Sequence, residues 1–153
     1  MSERDAAMAA VYQELLLDHY RRPRNRGELP NATVTVERRN PLCGDTLTLQ
    51  LELDGDRVSD VRFTGQGCSI SQASASMMTH LIRGKTIGEA SALRDRFRAM
   101  ILGDTAAASD KALGDLRALA GVARLPVRVK CALLGFSALE EAIRETGNGK
   151  RDT

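Results

Sequence analysis

The sequence contains no tryptophan and only five other aromatic residues, two Tyr and three Phe, among 153. A core must therefore be built from Leu, Val, Ile, Ala and Met. No stretch approaches the ~20 consecutive apolar residues needed to cross a bilayer, so a membrane-spanning helix is excluded. Charge of one sign is also lacking. A formal net charge of +2 is too small to argue for a nucleic-acid partner. The one dense basic run, Arg21-Arg22-Pro23-Arg24-Asn25-Arg26, reads as a solvated loop rather than a docking patch. The first residues carry charges of both signs with no apolar segment and cleavage site behind them, so a cytoplasmic protein with reduced thiols is expected. What remains is an ordinary globular balance, 42% apolar and 27% charged, in a length that suits a single domain over residues 1–153.

Periodicity organises the chain into strands first and helices after. An opening amphipathic helix is expected over Ala6–Tyr20, ended by Pro23 and Gly27. Alternation then marks strands at Thr33–Glu37 and Thr46–Leu53, where Leu47, Leu49, Leu51 and Leu53 share a face. Asp54-Gly55-Asp56 is a tight-turn signal, and Arg57–Thr64 supplies the return strand. Helices are expected over Ser69–Arg83, Thr86–Leu102 and Pro126–Arg144, with a shorter one over Leu113–Leu119. Thr86 and Glu89 form a capping-box pair at the start of the second of these. The pattern predicts an α+β fold: a three-stranded antiparallel meander with helices packed on one face. The polar tail 147–153 is expected to be mobile.

Three cysteines cannot all pair with one another, which leaves core packing, redox chemistry or metal ligation. Cys43 lies in the turn-rich stretch Asn40-Pro41-Leu42-Cys43-Gly44-Asp45, and in extended chain Cys43 and Asp45 project to the same side. Cys68 follows Gly65-Gln66-Gly67 at the start of a helix, where the macrodipole favours thiolate. Cys131 stands in the first turns of the last helix beside Arg128 and Lys130. A loop end and two helix starts can meet at one end of a meander. Three thiolates and a carboxylate there form a four-coordinate set suited to Zn²⁺, with Arg128 and Lys130 offsetting its negative charge. None of the spacings is the C-x₂-C signature, so core packing stays open on spacing alone. Flanking turn residues and cations favour the metal reading. His19 reads as a packed histidine, His80 as a surface one, and Met77 and Met78 as core filler. The serines after Cys68 have no His/Asp partner pattern for nucleophilic chemistry.

The stretches Asp18–Asn25, Asn40–Asp45, Gly65–Ser71, Ala73–Met78 and Arg128–Cys131 together resemble the U-type iron–sulfur cluster assembly family over about Tyr12–Glu145. Within it the chain resembles the SufU-type branch more than the IscU-type scaffolds. Scaffolds typically place His before the third cysteine, where this chain has Lys130, and have a shorter stretch than the 62 residues between Cys68 and Cys131. Leu125-Pro126-Val127-Arg128 also lacks the double proline that such scaffolds present to a chaperone.

The resemblance implies zinc held by Cys43, Asp45, Cys68 and Cys131, and Cys43 as sulfur acceptor. It implies a PLP-dependent cysteine desulfurase of the SufS type as donor, whose own histidine enters the zinc sphere and frees Cys43. Arg128 matches a family arginine and is expected to assist the transfer. Downstream iron–sulfur assembly proteins would receive the sulfur. The alternatives are a non-catalytic scaffold holding an Fe–S cluster transiently on the same ligands, and an interaction module in which zinc is structural.

Overall fold

The computed structural model describes residues 3–41 and 44–146. Leu42, Cys43 and the expected mobile tail lie outside the described residues. The elements follow as α1 (Glu3–Arg21), β1 (Val34–Asn40), β2 (Asp45–Asp54), β3 (Arg57–Gln66), α2 (Ser69–Ile82), α3 (Ile87–Ile101), α4 (Thr105–Ala108), a 3-10 segment (Lys111–Arg124) and α5 (Pro126–Glu145).

The sheet is the expected meander, β1-β2-β3, antiparallel throughout. Register places Val36 opposite Leu49 and Leu49 opposite Phe63, so one face collects the apolar side chains. Leu47, Leu49, Leu51, Val61 and Phe63 are fully buried, whereas Thr46, Thr48 and Gln50 remain partly exposed on the other face. Helices α2 and α5 pack against the apolar face, and α1, α3 and the 3-10 segment pack on those helices in turn. The outer edge of β3 is covered by the arginine-rich segment: Phe63 N–H donates to Asn25 O at 3.0 Å, and Gly27 N–H donates to Phe63 O at 2.9 Å. An edge strand left open would be a template for unwanted pairing.

Two helices are held close by small residues. Gly135 of α5 faces Ala75 of α2, and a Cβ on Gly135 would stand 3.4 Å from Ala75 Cα. Ser74 Oγ–H donates to Ala132 O at 2.7 Å across the same contact. The run Ala73-Ser74-Ala75-Ser76 is thus packing material, buried along its whole length. Phe97 of α3 stacks on Phe136 of α5 with centroids 4.9 Å apart. The expected capping box is formed, with Glu89 N–H donating to Thr86 Oγ1 and Thr86 N–H to Glu89 Oε1. Such a cap is worth about 1 kcal/mol.

Some boundaries differ from expectation. Strand β1 runs on through Arg38, Arg39 and Asn40, because Arg38 occupies an inner-face position and reaches Glu141 of α5 at 3.0 Å. A long charged side chain can fill an inward position by burying its stem, which masks the alternation. The expected helix at Leu113–Leu119 is instead part of the 3-10 segment, broken at Gly114 (φ 51°), where Leu81 Cδ2 lies 3.2 Å from the place a Cβ would take. The short α4, capped by Asp104, has no counterpart among the expected elements.

Candidate metal centre

Three of the four expected ligands converge where β2, α2 and α5 begin. Asp45 is the first residue of β2 and has no exposed surface. Its Oδ1 accepts the backbone N–H of Cys68 at 2.9 Å, and the Cys68 thiol faces Oδ2 at 3.9 Å. Cys68 is the N-cap of α2, in extended conformation, and makes no side-chain cap hydrogen bond. Its sulfur is left to face the site. Gly67 makes this approach possible: a Cβ there would overlap Asp45 Oδ1 and stand 2.7 Å from Ser71 Oγ.

Cys131 lies in the second turn of α5 and is fully buried. Asn40, the last residue of β1, points its Nδ2 at Cys131 Sγ from 3.7 Å. Asn40 is paired with Asp45 across the β1–β2 ladder, so the hairpin offers an amide and a carboxylate side by side to the two helices. The stretch Asn40–Asp45, expected to be turn-rich, has as its two ends the last residue of β1 and the first residue of β2. In the sequence Asn40 stands out only as part of that stretch. The signal that would have singled it out is its pairing with Asp45 across the hairpin.

One ligand atom from each of Asp45, Cys68 and Cys131 can be chosen so that all lie within 4.8 Å of one another. Tetrahedral zinc with Zn–S of about 2.3 Å and Zn–O of about 2.0 Å has donors about 3.5–3.8 Å apart. The three groups therefore need to close by at most about 1.3 Å, and two thiolates with a carboxylate are a fitting donor set for zinc. The residues present fit the metal. Cys43, the fourth expected ligand, lies outside the described residues.

Arg128 stands one helical turn before Cys131, on the same face of α5. The Cys68 thiolate, then hydrogen bonds to Cys131 and Cys68, hold its guanidinium above the usual arginine range. Lys130 is separated: it lines a groove between α3 and α5. Positions three residues apart share a helix face and adjacent ones do not, so of the two expected cations only Arg128 is aimed at the thiols. Leu125 (51% exposed) and Val127 (72% exposed) flank Arg128, leaving an apolar rim beside the site.

The remaining singled-out residues are structural. His19 is buried, with Nδ1 2.8 Å from Ser76 Oγ and Nε2 2.9 Å from Asp115 Oδ2. Ser76 Oγ also accepts Arg24 N–H at 2.8 Å. One arrangement satisfies all three: His19 donates from Nε2 to the carboxylate and accepts at Nδ1 from the serine hydroxyl. Burial pushes the His19 pKa below its ordinary value, against the opposing pull of Asp115. His80 is exposed, and Met77 and Met78 are core residues. The basic run is anchored, with Arg22 and Arg24 both paired to Asp18 and Arg26 donating to Gly65 O.

The comparisons with known proteins show the family to which this fold belongs. The family described as the NifU-like N terminal domain matches residues 11–132. The chain is 44% identical over 145 residues to the zinc-dependent sulfurtransferase SufU of Bacillus subtilis, covering 95% of this chain and 97% of that one. It is 42% identical over 143 residues to the iron-sulfur cluster assembly scaffold protein IscU of Streptococcus pyogenes, covering 94% and 89%. A crystal structure of a putative iron-sulfur cluster assembly scaffold protein for the SUF system from Fervidobacterium islandicum superposes with a TM-score of 0.79 at 38% identity, covering 85% of this chain and 94% of that one. With its three-stranded meander, its helical face and its Asp–Cys–Cys cluster, the chain belongs to the NifU-like N-terminal domain family of U-type iron–sulfur cluster assembly proteins.

Proposed function

We propose that this protein is a zinc-dependent sulfur acceptor of the SufU type, which takes sulfane sulfur from a cysteine desulfurase onto Cys43 and passes it to downstream iron–sulfur assembly proteins. The observation that carries the reading is the convergence of Asp45, Cys68 and Cys131 within 4.8 Å. Cys43 stands two residues before Asp45, so chain length alone keeps it within about 7 Å of that cluster's carboxylate residue. The name borne by the Bacillus subtilis relative is consistent with the assignment. The working compartment is the cytoplasm, where these thiols stay reduced.

Zinc held by Cys43, Asp45, Cys68 and Cys131 would keep its thiolates deprotonated and masked until a partner docks. The chain's own residues do the rest. The Cys43 thiolate attacks the outer sulfur of the donor's persulfide. The donor S–S bond breaks as the new one forms, the donor cysteine leaves as thiolate, and the persulfide proton stays on the transferred sulfur or is lost to solvent. Arg128, already drawn to the thiols, stabilises the anion that arrives. Gly67 and the Cys68 N–H hold the Asp45 carboxylate in place. Downstream delivery is the same exchange in reverse, with an acceptor thiolate attacking the sulfur on Cys43.

The test is metal content followed by sulfur mapping. Freshly purified, untagged protein should carry about one zinc per chain, as one closed four-ligand site requires, with negligible iron. Incubation with desulfurase and cysteine should then place a persulfide on Cys43 in intact-mass and peptide spectra, absent in Cys43→Ala. Substantial iron with acid-labile sulfide, transferable to an apo-ferredoxin, would replace this reading with the scaffold one. The scaffold reading draws its support from the 42% identity to a relative of that name. Lys130 at the position where such scaffolds carry His speaks against it.

A further inference from the structure

A groove of about 380 Å³ opens between α3 and α5 and ends at the last residues of β1, beside the metal centre. Four cations line it: Arg94 and Arg98 from α3, Arg39 from β1 and Lys130 from α5. The single acidic group on its wall, Glu140, is bound by Arg144 at 3.0 Å. Arg94 is engaged by Asp95 and Arg39 by Glu37, but neither Arg98 nor Lys130 has an ion-pair partner among the described residues. Between the cations the floor is apolar, formed by Leu133 and Phe136, and it is stiffened by the Phe97–Phe136 stack.

From this arrangement we propose that the groove receives an acidic, extended segment of the sulfur-donating partner, with one apolar side chain seated on Leu133 and Phe136. This rests on the sulfur-acceptor reading and names the surface by which the donor is held. Three features select the occupant. Excess positive charge around a concave site favours a negatively charged guest. The apolar floor gives nothing to a simple inorganic anion. Length is the third: α5 contributes residues from Lys130 to Glu140, a rise of about 15 Å, which matches four to five residues of extended chain and exceeds a single phosphate. The position explains the use. The groove ends on Asn40 and Pro41, with Asn40 Nδ2 at 3.7 Å from Cys131 Sγ, so a segment bound there lies beside the Asp45–Cys68–Cys131 cluster.

The experiment pairs a probe with the partner, using zinc-loaded full-length protein. A blocked hexapeptide of four acidic residues around a central Leu-Phe is titrated against ¹⁵N-labelled protein, with inorganic phosphate in parallel. Desulfurase affinity is measured on the same samples at two salt concentrations. The peptide is expected to shift amides of α3 and α5 facing the groove, and phosphate at equal concentration to leave them in place. The double reversal Arg39→Glu with Arg98→Glu, both at exposed positions, should abolish the peptide shifts. It should also weaken desulfurase binding at least about tenfold, with a shallower salt dependence and unchanged zinc content. Ser137→Glu, at a further exposed position on the groove wall, should do the same to a smaller degree. Unchanged desulfurase affinity in both variants overturns the proposal while leaving sulfur transfer to Cys43 intact. Equal shifts from phosphate reduce the groove to a small-anion site and also overturn it. If wild-type protein takes no sulfur from the desulfurase, the functional reading itself fails and the donor is removed as occupant, whatever the peptide does.

Discussion

Asp45 Oδ1 accepts the Cys68 backbone N–H at 2.9 Å, tying the first residue of β2 to the N-cap of α2 through a fully buried carboxylate. The same carboxylate is one of the three groups that could hold a metal ion, so under the proposed function Asp45 has two tasks that substitution can separate. Asp45→Asn keeps an oxygen for the Cys68 N–H but is a poor zinc ligand, whereas Asp45→Ala removes both. Metal-free Asp45→Ala should lose about 1.5–3 kcal/mol in urea unfolding, the worth of a hydrogen bond to a charged group. Asp45→Asn should lose less than half of that. Both should bind zinc more weakly in competition with a chromophoric chelator.

Gly67 tests the tolerance of the site to a single methyl. A Cβ there meets Asp45 Oδ1 and Ser71 Oγ together, and neither can retreat without giving up its own contact. Gly67→Ala is expected to cost about 1–3 kcal/mol, the usual range for overpacking. It should weaken zinc binding although it changes no ligand. Wild-type zinc affinity in this variant would show that Asp45 is held some other way.

Arg128 is exposed and on the helix surface, so Arg128→Ala should change stability by no more than about 0.5 kcal/mol. Persulfide formation on Cys43 should nevertheless slow by about tenfold or more, the equivalent of one charge-assisted hydrogen bond of ~1.5 kcal/mol. Rapid-quench mass spectrometry of the wild type, Arg128→Ala and Lys130→Ala checks it. Lys130→Ala is expected to leave the transfer step much less affected at saturating desulfurase, because its side chain lines the groove rather than facing the thiols.

His19 predicts a pH dependence of the fold that is independent of the metal. Its folded pKa is depressed, chiefly by burial, with Arg24 opposing protonation and Asp115 and Asp18 favouring it. The unfolded chain therefore binds the proton first as pH falls below about 6.5. Stability is full above that value and declines on acidification until the folded pKa is passed, with a slope of at most ~1.4 kcal/mol per pH unit. Urea unfolding of metal-free protein between pH 7.5 and 5 should show the decline. His19→Gln should flatten it while lowering stability at neutral pH.

Much of this protein is legible in its sequence because the signals are local. The Leu47-Leu49-Leu51 alternation, the Asp54–Asp56 turn and the Thr86–Glu89 box each depend on residues a few positions apart. They specify the meander and most helix boundaries without reference to anything distant. The mismatches arise where a long-range partner overrules the local pattern. Arg38 lies beyond the alternation that marks Thr33–Glu37 and joins the strand where Glu141 is brought to it, and the break at Gly114 is set against Leu81 from another helix.

The chemical types at the candidate metal centre were also determined by the sequence alone, since Asp45, Cys68 and Cys131 stand beside neighbours that favour thiolate or a turn. What only the tertiary structure decided is how they meet. The separation of Asp45 from Cys131 along the chain is closed by the Ala75–Gly135 contact and the pairing of Asn40 with Asp45, neither of which has a local signature. The same is true of the choice between Arg128 and Lys130. Two cations two residues apart are equivalent in a sequence, but a helix turns by about 100° per residue. Once packing against α2 and the sheet has set the rotation of α5, one of them faces the thiols and the other faces the groove.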